Sequence, residues 1–193
     1  FLWVVEEDED AALLAEEVID TYMRFPKWDF FMEETGQTIG VQRAPATSIA
    51  VVLVSDWLGD RIDATKRAQW FKALRERGCA ANFASLRAIR YPNDAADWSF
   101  DPETSILRLR PGNETDLSRR PAITKDTNLR AIPAGALMIS ALAIEAEEGI
   151  SSTTRSWFEM ALDAMDAFAQ IYEPDGSYNE GVSYANYTST HLV

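Results

Sequence analysis

The sequence is poor in the residues that build disulfides and metal sites. Its 193 residues include one cysteine, Cys79, and one histidine, His191. A lone cysteine excludes a disulfide within the chain and a cysteine-based zinc site, and a lone histidine excludes a site with several histidine ligands. No cluster of residues requires a metal, so we expect neither a metal nor another cofactor here.

Basic residues are scarce relative to acidic ones. There are 18 Lys and Arg against 31 Asp and Glu, which gives a formal net charge of −13 at pH 7. Such a chain repels nucleic acid and anionic membranes, so neither is expected as a partner. The same charge opposes binding of an anionic polysaccharide unless a local basic cluster attracts it. The candidates for such a cluster are Arg119, Arg120, Lys125 and Arg130.

Membrane and export signals are also lacking. We find no run that is long and apolar enough to span a membrane, and no secretory signal. The chain begins at Phe1 rather than Met and ends at Val193 within a helical pattern. We therefore expect both ends to be cut from a longer protein.

The residues that are present predict one folded, mostly helical domain. Hydrophobic residues make up 47% and charged residues 25%, which is an ordinary globular composition, and the length suffices for a sizeable core. Apolar residues at helical spacing predict the helices 8–25, 39–58, 63–89 with a break near Gly78, 128–148, 151–172 and a last one from about 182.

Two parts of this prediction stay open. The β-branched run 49–54 is compatible with a strand inside the second helix. Residues 91–121 are rich in proline and predict an irregular excursion, with a possible hairpin at 106–110. Long helices joined in antiparallel pairs fit either an α/α toroid or a helix bundle.

The segment most indicative of chemistry is DGSYNEGVSYANY, residues 175–187. It combines Tyr178, Tyr184, Tyr187 and Glu180 with two glycines that permit a tight backbone. Tyr184 and Tyr187 lie three residues apart, so they share one face of a helix. The alternative is a loop between helices whose aromatic residues pack onto their neighbours.

Two further segments carry candidate residues. Asn128 opens an apolar helix, with Arg130 beside it; Asn128 is either the helix N-cap or an amide donor for a substrate carboxylate. In residues 41–74, Arg43, Asp56 and Trp57 could border a cleft, although helix packing explains most of that pattern.

Taken in order, these three segments resemble landmarks of the heparinase II/III-like polysaccharide lyases. The matching residues are Arg43-Ala44 with Asp56-Trp57-Leu58, then Asn128 through Gly135 to Leu142, and last the Asp-Gly-Ser-Tyr-x-Glu-Gly motif with further tyrosines at 175–187. Thr127 and Leu129 depart from the family, which often has histidine or asparagine before its Asn and tryptophan after it.

The resemblance implies an all-α fold, an incomplete (α/α) toroid of antiparallel helix pairs. Residues 1–193 would be a single helical domain of a larger lyase whose further helices, second catalytic histidine and β-sandwich domain lie outside this sequence. It also implies a periplasmic or secreted enzyme that acts on an acidic polysaccharide or oligosaccharide. Heparin-like chains and alginate both fit, and the oligomeric state is open.

The resemblance further implies β-elimination across C4–C5 of a uronic acid. Asn128, with Arg130, would neutralise the sugar carboxylate so that charge can spread into it. Tyr184 is the first candidate for the base, with Tyr187 as the alternative; tyrosine has an ordinary pKa of about 10 and needs favourable neighbours for this task. The remaining candidate substrate contacts are Tyr178, Glu180 and Arg43.

Two other functions fit the same residues. A glycoside hydrolase or epimerase on a similar toroid could use carboxylates, with Asp175, Glu180 and Asp56 as candidates for hydrolysis. A non-catalytic glycan-binding protein is the third hypothesis. Hydrolysis would leave no double bond in its product, which separates it from elimination.

Overall fold

The structure, a computed structural model, is described for residues 1–96, 98–100, 124–172, 175–178 and 180–192. Most of these residues are helical. The helices are α1 (Leu2–Glu6), α2 (Glu9–Met23), α3 (Arg43–Leu58), α4 (Ala64–Ala73), α5 (Ala80–Arg90), α6 (Asn128–Glu148), α7 (Ser152–Ala169) and α8 (Val182–Leu192). The possible hairpin at 106–110 and the basic residues Arg119 and Arg120 lie outside the described residues.

Local capping residues start several helices where the sequence predicts them. Asp63 accepts hydrogen bonds from the backbone N–H groups of Thr65 and Lys66 at 2.9 and 3.1 Å, and α4 follows. Ser151 and Thr154 exchange backbone and side-chain bonds at the start of α7, as a capping box does. The second predicted helix begins later than expected, at Arg43, and residues 49–54 are helical.

The predicted break at Gly78 is confirmed as a π-helical segment. Leu74–Cys79 joins α4 to α5 with this wider turn, and short 3₁₀ turns follow α3 at Gly59–Arg61 and α7 at Gln170–Tyr172. A Cβ at position 78 would collide with the Ser48 hydroxyl of α3. Glycine therefore lets the two helices approach closely at this point.

The helical architecture agrees with the all-α prediction, and a small antiparallel sheet that was not predicted accompanies the helices. Its strands are β1 (Phe31–Glu33), β2 (Thr38–Ile39) and β3 (Trp98–Phe100), in the order β2-β1-β3. Phe31 pairs with Ile39 on one side and with Phe100 on the other. Strands this short carry too little alternation for the sequence pattern to reveal them. The sheet contributes to a second apolar cluster at one end of the helices. Leu129 packs against this cluster, whose buried residues are Phe31, Ile39, Val41, Ala88 and Trp98.

Helices α3 and α6 run in the same direction. Arg67 donates to the Ser55 carbonyl at 2.8 Å and to Glu147 at 2.9 Å, so the carboxyl ends of both helices meet beside α4. At their other ends, Val41 and Leu129 both belong to the second apolar cluster. The N-termini of α3 and α6 therefore lie at one end of the molecule.

Helix α6 is the central helix of the main core. It packs against α3, α5, α7 and α8. Its buried residues include Ala134, Leu137, Ala141 and Ile144. By length and composition Asn128–Glu148 could cross a membrane, so the prediction that no run is apolar enough was wrong; half of its most apolar window is buried inside the protein. Pro133 is accommodated within this helix.

Candidate functional site

The N-terminus of α6 is held by a carboxylate from a distant part of the chain. Thr127 is the N-cap and makes no capping bond with its side chain, while Asn128 is the first helical residue, which corrects its interpretation as the N-cap. Glu180 accepts a hydrogen bond from the Asn128 backbone N–H at 2.6 Å. A carboxylate is favourable here because the helix dipole places partial positive charge at this end. The contact brings two of the sequence motifs together.

Tyr178 holds Glu180 from the other side. Its hydroxyl donates to the same carboxylate oxygen that Asn128 contacts. Its ring stacks on Tyr172 with centroids 5.2 Å apart and meets the edge of Phe168 at 5.9 Å. Burial raises the pKa of Tyr178, and the bond to Glu180 raises it further. Tyr178 thus acts as a neutral donor that positions Glu180, and it is poorly suited to take up a proton.

The other two tyrosines lie exposed on α8. Tyr184 is 50% exposed and Tyr187 is 46% exposed. The Tyr187 ring meets the ring of His191 edge-on, with centroids 4.9 Å apart. A Cβ at Gly135 would lie 2.7 Å from the His191 carbonyl oxygen, so α8 rests directly on α6. Both residues are therefore about half exposed, on a helix that packs against the Asn128 helix.

Asn128 and Arg130 occupy the first turn of α6. The Asn128 residue is only 6% exposed. Arg130 is partly buried and donates to the Lys125 carbonyl at 3.3 Å. Lys125 itself lies 3.8 Å from the Asp126 carboxylate. Two members of the predicted basic cluster, Lys125 and Arg130, are thus brought together beside Asn128.

Arg43 lies at the same end of the molecule, at the start of α3. It is exposed, and its guanidinium lies over the Phe30 ring at 5.7 Å from the centroid. Phe30 packs against the second apolar cluster, as Leu129 does. Arg43, through Phe30, and Leu129, the residue after Asn128, therefore border one apolar cluster.

Asp29 is a residue that sequence analysis missed. One of its carboxylate oxygens lies within 2.8–3.3 Å of the backbone N–H groups at the start of α3, those of Val41, Gln42, Arg43 and Ala44. The other oxygen accepts from the Phe30 N–H at 2.9 Å. Asp29 precedes the helix by fourteen residues, so no capping spacing in the sequence could reveal it.

Two other predicted residues lie away from Asn128. Asp56 and Trp57 are at the carboxyl end of α3, where the Trp57 carbonyl accepts from the Trp3 indole at 3.1 Å. The whole length of α3 separates them from the α6 N-terminus. Asp56 therefore cannot act as a partner of Glu180 across one sugar bond. Asp175 is exposed, and its hydrogen bonds from Ser177 lower its pKa.

No known family model, curated protein or solved structure matches this chain. Within the described parts of the chain, no group of three or more Asp, Glu, His or Cys side chains is placed to hold a metal ion. Because no known protein matches, the contacts around Asn128 and Glu180 are the structural basis for proposing a function.

Proposed function

We propose that this chain is the helical part of a polysaccharide lyase that cuts a uronic-acid polymer by β-elimination. The observation that carries the proposal is the contact of Glu180 with the Asn128 N–H and the Tyr178 hydroxyl. It joins the Asn128 helix to the tyrosine-rich segment, and these are the two segments whose residues the reaction needs. Sequence resemblance to heparinase II/III-like lyases supports the same activity.

The first requirement of the reaction is to make the C5 proton of the sugar removable. A neighbouring carboxylate with a full negative charge resists the further charge that develops when this proton leaves. The Arg130 guanidinium is a hydrogen-bond donor at the positive end of α6, and the proposed reaction requires the Asn128 amide, which is 6% exposed in this structure, to turn toward the sugar, so that both donors neutralise that carboxylate. The developing charge then spreads into the carboxylate.

The second requirement is a base on the other side of the sugar. We assign this role to Tyr184, which is exposed on α8. Its phenolate takes the C5 proton, the electron pair of that bond forms the C4–C5 double bond, and the bond from C4 to the leaving oxygen breaks. The resulting phenol returns the proton to the leaving oxygen. Tyr178 and Glu180 position the segment, and Glu180 can accept a bond from a sugar hydroxyl.

The proposed fold is an incomplete (α/α) toroid. Helices α3 and α6 run in the same direction. Helix α7 packs on α6 and starts beside its carboxyl end, where Thr154 donates to Glu145 at 2.8 Å, so α7 runs back along α6. Such antiparallel pairs are the repeating unit of a toroid. We also propose that residues 1–193 are one domain of a longer, exported enzyme, as the resemblance implies. The substrate is then an acidic polysaccharide or oligosaccharide, and Arg43 is a further candidate contact for it.

A screen of the protein against several uronate polymers tests this function. Elimination creates an unsaturated uronate, so ultraviolet absorbance should rise with time for at least one polymer. Tyr184→Phe should lower the rate by a factor of about 100 or more, because it removes the base. Tyr187→Phe, on the same helix and similarly exposed, is the matched control and should keep most of the activity.

The Tyr184→Phe and Tyr187→Phe variants can each contradict the assignment of the base. If Tyr184→Phe keeps full activity while the chain remains folded by circular dichroism, Tyr184 is not the base. If instead Tyr187→Phe loses the activity, the assignment passes to Tyr187. Absence of unsaturated product with every polymer would contradict the lyase proposal itself.

A further inference from the structure

Helix α2 carries apolar side chains on its outward side as well as on its inward side. Ala12 and Ile19 face the core and are fully buried. Leu13, Leu14 and Val18, which we call the α2 stripe, lie on the outward side and are 40 to 61% exposed. A surface helix normally places polar residues there. The α2 stripe is therefore a second apolar face that the described residues leave exposed.

A pocket opens beside the α2 stripe, where α1, α2 and α3 meet. It has an open volume of about 260 Å³, and its lining includes Trp3, Ala11, Ala15 and Trp57. Ala11 and Ala15 each lie three residues before a member of the stripe, so they are its neighbours on the helix surface. Small-molecule sites are usually larger, roughly 300–1,000 Å³, whereas a smaller pocket suits one anchoring side chain of a partner protein. Pocket and stripe together fit a protein partner.

Acidic residues without ion-pair partners accompany the α2 stripe. Asp10 and Glu17 lie on the same outward side of α2, and Glu6 and Glu7 lie at the end of α1. All four are exposed and form no ion pair with a described residue, and neither α1 nor α2 contains a Lys or Arg. The acids elsewhere on α2 are already paired, Glu9 with Arg61, and Glu16 and Asp20 with Lys66. The uncompensated charge beside the stripe favours a partner with basic side chains.

We propose that the α2 stripe and its pocket bind an amphipathic helix that carries Lys or Arg beside its apolar residues. Apolar side chains at positions i, i+3, i+4 and i+7 of that helix pack along Leu14 and Val18, and one of them enters the pocket. Its cations pair with Asp10 and Glu17. A second copy of this chain fits less well, because a symmetric contact through this face brings like charges together.

This docking surface is separate from the candidate site. The pocket is lined by Trp57 and Leu58, at the carboxyl end of α3, whereas Asn128 lies toward the other end of that helix. The inference therefore does not rest on the proposed lyase function. Variants of the α2 stripe should change binding of a partner and leave lyase activity as it is.

Fluorescence anisotropy of a labelled model peptide tests the inference. The peptide is a helix of about five turns, with leucine at positions i, i+3, i+4 and i+7 and lysine at most other positions. One comparison peptide has the same residues in scrambled order, and the other has glutamate in place of each lysine. The lysine peptide should bind at least about tenfold more tightly than either comparison peptide, because it alone combines one apolar face with positive charge.

Variants of the chain locate the binding surface. Leu14→Ser combined with Val18→Ser should weaken binding of the lysine peptide about tenfold or more, because the central apolar contacts are lost. Leu162→Ser is the matched control, since Leu162 is a single exposed leucine on α7, 44% exposed, and it should bind as the unaltered chain does. Asp10→Asn combined with Glu17→Gln should weaken binding severalfold and reduce its dependence on salt. All these side chains are exposed, so urea unfolding should stay nearly unchanged.

Several outcomes would overturn the docking surface. One is undiminished binding of the lysine peptide by the variant with Leu14→Ser and Val18→Ser, and another is an equal loss in Leu162→Ser. Equal binding of the scrambled peptide would reveal only a general attraction of cations to an acidic chain. Equal or tighter binding of the glutamate peptide would contradict the charge preference. A dimer of the chain alone in sedimentation equilibrium, lost in the Leu14→Ser and Val18→Ser variant, would make a second copy the occupant instead.

Discussion

The first turns of α3 and α6 are both held by a carboxylate from elsewhere in the chain, yet the two carboxylates are engaged differently. Asp29, at α3, is 4% exposed and lies within 3.3 Å of a series of backbone N–H groups. Glu180, at α6, is partly buried and contacts one backbone N–H and one phenol. Neither helix has a capping bond from its own N-cap side chain.

This difference separates a structural carboxylate from a candidate functional one. The hydrogen bonds of Asp29 are all to the fold, so it stabilises the junction between the sheet and α3. Glu180 makes fewer bonds to the fold and lies beside Asn128, with exposed tyrosines on the helix that follows it. The comparison predicts that changes at Asp29 alter stability alone, whereas changes at Glu180 alter stability less and activity more.

Replacement of Asp29 should have the largest effect on stability. Asp29→Ala leaves several buried N–H groups without their acceptor, so the free energy of unfolding should fall by about 3 kcal/mol. Urea unfolding followed by circular dichroism measures this change. Asp8→Ala is the matched control, since Asp8 accepts one bond, from the Ala11 N–H, at the start of α2; it should cost about 1 kcal/mol. A smaller loss for Asp29 than for Asp8 would refute the comparison.

Replacement of Glu180 should have a smaller effect on stability and a large effect on activity. Glu180→Ala removes a helix-capping acceptor and should cost about 1 to 2 kcal/mol in urea unfolding. Lyase activity per folded molecule should fall at least tenfold, because the tyrosine segment is no longer fixed to the Asn128 helix. Glu180→Gln keeps an acceptor oxygen, so it should lose less stability and less activity than Glu180→Ala. Full activity in Glu180→Ala would show that the carboxylate is structural, as Asp29 is.

Replacement of Tyr178 should have the smallest effect on stability, and this effect should depend on pH. Its pKa is raised in the folded state, so the folded protein keeps this proton after the unfolded chain has lost it. The stability that it contributes is present below a pH of about 10 and is lost as the pH rises further. Tyr178→Phe should cost about 1 kcal/mol at neutral pH and flatten that alkaline loss in urea unfolding. An unchanged alkaline slope would contradict the bond to Glu180.

Local signals in the sequence predicted much of the fold. Asp63 and Ser151 cap helices within three residues, and Gly78 divides a long helix, so these features are visible without tertiary structure. The two- and three-residue strands are not visible, because they are too short to show an alternating pattern and because β3 pairs with β1 from far along the chain, Trp98 with Glu33 and Phe100 with Phe31. The apolar character of α6 was underestimated since its apolar residues surround the helix instead of forming one stripe.

The candidate site was predicted in part. The resemblance selected Asn128, Tyr178 and Glu180, and the structure brings these three together. It could not reveal Asp29, because Asp29 contacts the start of α3 from an earlier part of the chain, at no spacing that a capping motif has. Asp56 and Trp57 were grouped with the site because they follow Arg43 by about four helical turns, which in fact places them at the opposite end of α3.

The reaction chemistry itself is tested most directly by mass spectrometry of the products formed in water labelled with heavy oxygen. Elimination breaks the bond from C4 to oxygen without consuming water, so the account predicts an unsaturated fragment that carries no label and is lighter by one water than a hydrolysis product. A saturated fragment with one heavy oxygen at the cleavage point would show hydrolysis and contradict the assignment of Asn128 and Tyr184.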